Sequence, residues 1–211
     1  MNHEVFPNSR LYDTGYCVLF VKDVEPDALL SRIIESNATP LLINRDEAEA
    51  IKALGEEIEA EDVPGLDVEE LETTGMLDNS GPLLRAGAYQ GWSFVIESEG
   101  SYLAGDAVLK LASAGTIAYC ARLSATGASW ISYAENGEIL SSFDPLFVDR
   151  DYGKQPEVLD RLTGHRAAVV SGDRAEAYEN ALRQIQERLG CLIPAGVDTG
   201  RLSAVRVPGQ Y

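Results

Sequence analysis

Apolar positions along the chain fall into short runs with two different periods. Tyr16 to Lys22 (YCVLFVK) is a continuous β-branched and aromatic run, which predicts a buried strand. Pro26 follows where a first helical turn tolerates proline, and Leu29, Leu30, Ile33 and Ile34 make one apolar stripe. Pro40 to Ile43 reads as a second strand. Asn44 with Glu47 three residues on forms a capping-box pattern, opening a helix with Ile51, Leu54 and Ile58 on one face.

After Gly81-Pro82 the period changes to two. Trp92, Phe94 and Ile96 alternate with Ser93, Val95 and Glu97, the pattern of a strand with two unequal faces. Asp106 opens a short helix carrying Val108, Leu109, Leu111 and Ala112, and Thr116–Leu123 and Ala128–Ala134 read as strands. Asn136-Gly137 is the clearest turn signal, because both residues accept the positive φ of a type I′ hairpin. A two-residue loop there sets Trp130 opposite Phe143 as a cross-strand aromatic pair. Pro156 starts a helix with Val158, Leu159 and Leu162, and Val169-Val170 reads as a brief strand or a linker. Asp173 and Glu176 repeat the capping-box pattern before a helix carrying Tyr178, Ala181, Leu182, Ile185 and Leu189, closed by Gly190. Leu202, Ala204, Val205 and Val207 are the last apolar positions. Strands in runs, broken by unpaired helices and without internal repeats, predict an α+β fold. The expected architecture is a mainly antiparallel sheet with flanking helices, one single domain over 1–211.

Charge changes this picture at one segment. The chain holds 34 acidic against 17 basic residues, a formal net charge of -17, which disfavours nucleic-acid phosphates and anionic membrane surfaces as partners. Between Asp46 and Asp78 the acids stand against a single base, Lys52. Pro64-Gly65 interrupts the stretch, and Leu66, Val68, Leu71, Met76 and Leu77 lie among the acids, so it is amphipathic rather than a polyacid tail. An acidic insertion or mobile arm at about 46–78 is expected, with the stretch from Glu56 to Asp78 dispensable for folding.

The candidate chemistry is sparse. Cys17, Cys120 and Cys191 are odd in number and show no C-x-x-C spacing, the usage of a reducing, cytoplasmic compartment with thiols acting as small core hydrophobes. Met1 to Tyr12 carries no basic region followed by an apolar run, and no stretch approaches a membrane span. The two histidines, His3 and His165, are isolated, so no metal is expected; His165 reads as a loop residue. Ser113 lacks the glycine that a nucleophile elbow places two residues earlier. Neither Gly87-Ala-Tyr-Gln-Gly91 nor Gly153-Lys154 has phosphate-loop spacing, so no nucleotide or other cofactor is expected. Glu97 is the one acid that stands out, at the end of an apolar strand. It is either a carboxylate with a raised pKa or a strand-end residue paired with a backbone amide or with Arg122 or Arg150.

Several of these segments together resemble a family of actinobacterial proteins known only as a domain of unknown function. The resemblance lies in Tyr16–Val21 with its Pro26-led helix, Gly91-Trp-Ser-Phe-Val-Ile-Glu97, Ser113-Ala-Gly-Thr116, and the Asn136-Gly137 hairpin running into Phe143-Asp-Pro145. Arg150, Gly153 and Leu189-Gly190 fit as well, whereas the acidic stretch from Glu56 to Glu72 departs from the pattern. The resemblance implies a shared α+β scaffold and a role in bacterial regulation or conflict systems, without an established activity.

The function expected from these features is a non-enzymatic, acidic protein-binding module: an immunity or regulatory protein shielding a basic partner surface. Its binding residues would be Glu56, Glu57, Glu59, Glu61, Asp62, Asp67, Glu69, Glu70 and Glu72. The alternative is a small-molecule-binding domain or enzyme with a pocket around Trp92, Glu97, Thr116 and Arg150. The sequence sets no oligomeric state.

Overall fold

Every residue from Gly15 to Val21 is buried, which explains why this run shows no polar alternation: both of its faces are covered. In the computed structural model, which describes residues 4–6, 12, 14–34, 38–54, 63, 65–78, 80–168 and 174–209, this run is strand β2 (Gly15–Lys22). β1 (Glu4–Phe6) precedes it, and α1 (Pro26–Ile33), β3 (Leu41–Ile43) and α2 (Arg45–Ala53) follow. Next come α3 (Val68–Thr73), β4 (Leu83–Tyr89), β5 (Trp92–Ser98), α4 (Asp106–Ala112), β6 (Ile117–Ser124), β7 (Ser129–Glu135) and β8 (Glu138–Phe143). The chain closes with α5 (Val158–Thr163), α6 (His165–Ala168), α7 (Arg174–Leu189), β9 (Ile193–Pro194), α8 (Ala195–Asp198) and β10 (Leu202–Arg206). The main sheet is antiparallel, in the order β3-β10-β4-β5-β2-β6-β7-β8; β1 and β9 form a separate pair. This is the α+β architecture expected from the sequence.

The pleat divides β2 between two cores. Tyr16, Val18 and Phe20 join Trp92, Phe94, Ile96, Tyr119 and Phe143 beneath α5 and α7, which contribute Leu159, Tyr178, Leu182 and Ile185. Cys17, Leu19 and Val21 join Leu84, Val95 and Cys120 beneath α1 and α4, which contribute Leu29, Leu30, Ile33, Val108 and Leu109. A third cluster at the β3 end of the sheet packs Ile43, Ala48, Ile51, Val63, Leu71, Met76, Leu83 and Ala204.

Local signals mostly form what they predict. Asn44 and Glu47 make both halves of the capping box, at 2.9 and 2.7 Å. Asn136 and Gly137 take φ of 52° and 80°, the type I′ signature. The hairpin register differs from the expectation, however. Glu135 pairs with Glu138 and Ala134 with Ile139, but Tyr133 then pairs with Ser141 and Ile131 with Phe143. Leu140 is the extra residue of a β-bulge, so Phe143 faces Ile131, and Trp130 points to the opposite face. There Trp130 donates its indole N–H to Ser142 Oγ at 2.7 Å and lies against Tyr152. The bulge puts Leu140 and Phe143 in one core with Ile131 and Tyr133, which an unbulged strand would not do.

Beyond β8 the chain doubles back along its outer edge. Tyr152 exchanges backbone hydrogen bonds with Ser142, and the N–H groups of Lys154 and Gln155 donate to Ile139 and Leu140. This strap covers an edge that would otherwise offer unpaired backbone. Gly153 turns it with φ of 124°, and a Cβ there would meet the Leu140 carbonyl oxygen at 2.4 Å.

Val169-Val170 and Asp173 lie outside the described residues, as do Ile58 and His3. His165 is not in a loop: it begins α6 and is buried.

Candidate functional site

The described part of the acidic segment, residues 46–54, 63 and 65–78, is fastened to the body. Asp67 caps α3 by accepting the N–H groups of Glu69 and Glu70, and both acids sit in the first turn, where the helix dipole favours negative charge. Leu71 turns inward and is buried with Met76 and Val63 in the third cluster. Arg206, on β10, donates to the carbonyls of Met76 (3.2 Å) and Gly81 (3.3 Å), pinning the far end of the segment. On α2, Lys52 reaches Glu49 at 3.1 Å and Ser98 Oγ at 2.8 Å, tying that helix to the end of β5. The one base of the segment is therefore committed to anchoring α2.

This anchoring sets the acids outward. Asp67, Glu69, Glu70 and Glu72 are all exposed around the buried Leu71. Beside them lies a groove of about 350 Å³ with a floor of Ala50, Val63 and Leu66 and a rim of Asn44, Asp46 and Glu47. Glu56, Glu57, Glu59, Glu61 and Asp62 lie outside the described residues.

The second group of candidates is not gathered in one place. Trp92 and Glu97 sit five residues apart on β5 and on opposite faces of the sheet. Trp92 donates its indole N–H to the Leu189 carbonyl at 3.0 Å, closing the C-terminal end of α7. Glu97 accepts the backbone N–H groups of Tyr102 (3.1 Å) and Leu103 (3.0 Å), holding the turn after β5. Burial raises its pKa, while those amides and Arg122 pull it back down. Thr116 donates its hydroxyl to the Lys22 carbonyl at 2.7 Å. Arg150 ends the 3-10 turn Pro145–Arg150 after β8, a strand four places from β5 in the sheet. Its side chain is outside what is described.

Glu97 belongs instead to a row across the sheet. Cys17 pairs with Glu97 on β5 and with Arg122 on β6, and Arg122 Nε donates to the Gly100 carbonyl at 3.2 Å. Cys120 reaches the same spot diagonally, its sulfur 3.4 Å from that of Cys17. Desolvation pushes the Cys17 thiol well up. Outside the turn lies a depression of about 420 Å³ lined by Thr14, Gly15, Glu99, Gly100, Arg122, Leu123, Ser124 and Ala125.

Two buried polar groupings have little or no signal in the sequence. Arg85 and Asp198 form an ion pair inside the protein, joined by Arg45, which also lies over the Tyr12 ring at 4.1 Å. Arg85 additionally donates to the Asp198 and Gly200 carbonyls. Its one sequence signal is a single base inside the apolar run Leu83–Tyr89. The other grouping centres on His165, stacked on Phe143 at 4.6 Å. Thr163 Oγ1 donates to the Leu159 carbonyl, so at 3.0 Å it accepts the Nδ1 proton of His165. Burial, with Arg166 nearby and against the pull of Asp160, lowers the His165 pKa to about 4.

Together these features define an α+β domain whose antiparallel sheet is covered on both faces and carries a docked acidic helix at one end. A family model described as "Family of unknown function (DUF6461)" matches residues 6–185, and the chain belongs to that family. The match stops before β9, α8 and β10, although β10 lies inside the sheet between β3 and β4. Searches of curated proteins and of solved structures found no match. Among the described residues, no helix is long and apolar enough to cross a membrane.

Proposed function

We propose that this protein is an acidic protein-binding module that shields a basic surface on a partner, in the manner of an immunity or regulatory protein. The observation that carries the reading is the exposure of Glu69, Glu70 and Glu72 around a buried Leu71. Carboxylates on a docked helix keep a fixed pattern, so less conformational freedom is lost on binding than with a free acidic tail. The adjoining groove has an apolar floor and an acidic rim, which suits the aliphatic stem and charged head of lysine or arginine. Charge complementarity would steer association and make it salt-sensitive.

The test compares the parent with a Glu69→Gln, Glu70→Gln, Glu72→Gln variant, leaving the Asp67 cap in place. Affinity capture from the native host, read by mass spectrometry, is expected to recover a basic protein with the parent. The variant is expected to lose it, and parent binding to weaken as salt rises. A partner held equally by both proteins at every salt concentration would remove the acidic face from consideration.

A further inference from the structure

We propose that Cys17 and Cys120 are a redox pair that closes to a disulfide when the protein meets a peroxide. The thiols lie on neighbouring central strands with their sulfurs 3.4 Å apart, and both are fully buried. A disulfide needs about 2.05 Å between sulfurs. Because Cys17 and Cys120 are diagonal rather than opposite neighbours on β2 and β6, closure needs side-chain rotation together with a shift of the two strands. The 103-residue separation in sequence makes the bond a long-range crosslink.

The approach to this pair is through the turn after β5. Cys120 Sγ lies 3.6 Å from the Leu103 carbonyl, on the underside of that turn. Polar contacts hold the turn down at this point: Glu97 grips the Tyr102 and Leu103 amides, and Arg122 grips the Gly100 carbonyl. The depression bounded by Glu99, Gly100 and Arg122 opens on its outer side. A transient opening of the turn therefore brings solvent from that depression to the sulfurs, and the burial that pushes the Cys17 thiol up is relieved in the same motion.

The chemistry balances with hydrogen peroxide as oxidant. One thiolate attacks a peroxide oxygen; an S–O bond forms, the O–O bond breaks, and hydroxide leaves to take up a proton as water. The second sulfur then attacks the resulting sulfenic sulfur; an S–S bond forms and the S–O bond breaks. The hydroxide released takes the second thiol proton and leaves as water. Two thiols lose two electrons in all, and one peroxide becomes two waters. Cys191 stands apart, in the core on the other face of the sheet with Tyr178 and Ile193.

The test treats the natively folded protein with hydrogen peroxide, removes the oxidant, then unfolds the protein without reductant and counts free thiols. The expected count falls from the three free cysteines to one. Intact mass should drop by two hydrogens, and peptide mapping should join the Cys17 and Cys120 peptides. A Cys191→Ser variant should still form the bond; Cys17→Ser and Cys120→Ser should not. The crosslinked protein should melt roughly 5–10 °C higher than its reduced form, from the constraint placed on the unfolded chain. The proposal is overturned if all three thiols survive, if oxygen is added without a crosslink, or if the bond joins Cys191 or a second chain. The parent protein carries the main readout, so the test stands even where a variant misfolds.

Discussion

Arg85 and Asp198 meet inside the protein with 3.2 Å between Nη1 and Oδ1, and their side chains are 2% and 0% exposed. The pair locks α8 to β4, joining two elements more than a hundred residues apart in sequence. Asp198→Asn would strand a buried guanidinium without a counter-charge, and chemical denaturation should show a loss of about 3–5 kcal/mol. Arg85→Met combined with Asp198→Ala should lose less than the two single changes added together. A loss under about 1 kcal/mol for Asp198→Asn would mean that the pair is hydrated and weak.

The acidic segment gives two opposite expectations. Leu71→Ala and Met76→Ala each remove a buried side chain of the third core and should cost about 2–5 kcal/mol. Glu69→Gln and Glu70→Gln touch only exposed carboxylates and should stay within about 0.5 kcal/mol of the parent. Thermal melts of the four variants separate these groups. Equal, small shifts for all of them would detach the segment from the core.

His165 makes stability depend on pH with a definite sign. Its folded-state pKa of about 4 lies below the ordinary histidine value of 6.5, so the folded protein resists protonation more than the unfolded chain does. The contribution is complete above pH 6.5 and is withdrawn as pH falls toward 4, amounting to about 3 kcal/mol. His165→Asn should flatten that part of the pH–stability curve. An unchanged slope between neutral pH and pH 4 would assign the acid sensitivity to other groups.

Gly153→Ala tests the strap over the β8 edge. The added Cβ would press on the Leu140 carbonyl and hold a residue at unfavourable φ, so a cost of about 1–3 kcal/mol is expected. Faster amide exchange at Lys154 and Gln155, measured by hydrogen exchange, should accompany it. Unaltered exchange there would show that the strap tolerates the side chain.

Features governed by neighbours in sequence are legible in it. The Asn44–Glu47 capping box, the Asn136-Gly137 turn and the period of β5 follow from local sterics and hydrogen bonding. The bulge at Leu140 is not, because it is selected by which core its neighbours must reach across the sheet. Strand β4 does not stand out as a distinct element: Arg85 interrupts its apolar run, and it takes Asp198, far along the chain, to make a base tolerable there. Leu71 and Met76 are recognisable as apolar but not as buried, since their partners Ile43, Leu83 and Ala204 come from distant segments. At the candidate site, the acids of α3 can be named from composition, whereas the groove beside them depends on Val63 and Leu66 lying across from α2. Glu97 stands out in the sequence, yet the amides of Tyr102 and Leu103 decide its role, which is to hold a turn.

The place of β10 in the sheet has a consequence for synthesis on the ribosome. It is the last strand among the described residues, yet it pairs with both β3 and β4. A growing chain can assemble the β4-β5-β2-β6-β7-β8 part of the sheet early, but the outer edge of β4 must stay open until more than a hundred further residues have emerged. Until then β3 has no strand to join, and the core that seats the acidic helix lacks Ala204. Premature termination near residue 200 would therefore release a product with an exposed β4 edge, the kind of species that associates with its own copies. Completion of this sheet is in this sense timed by β10.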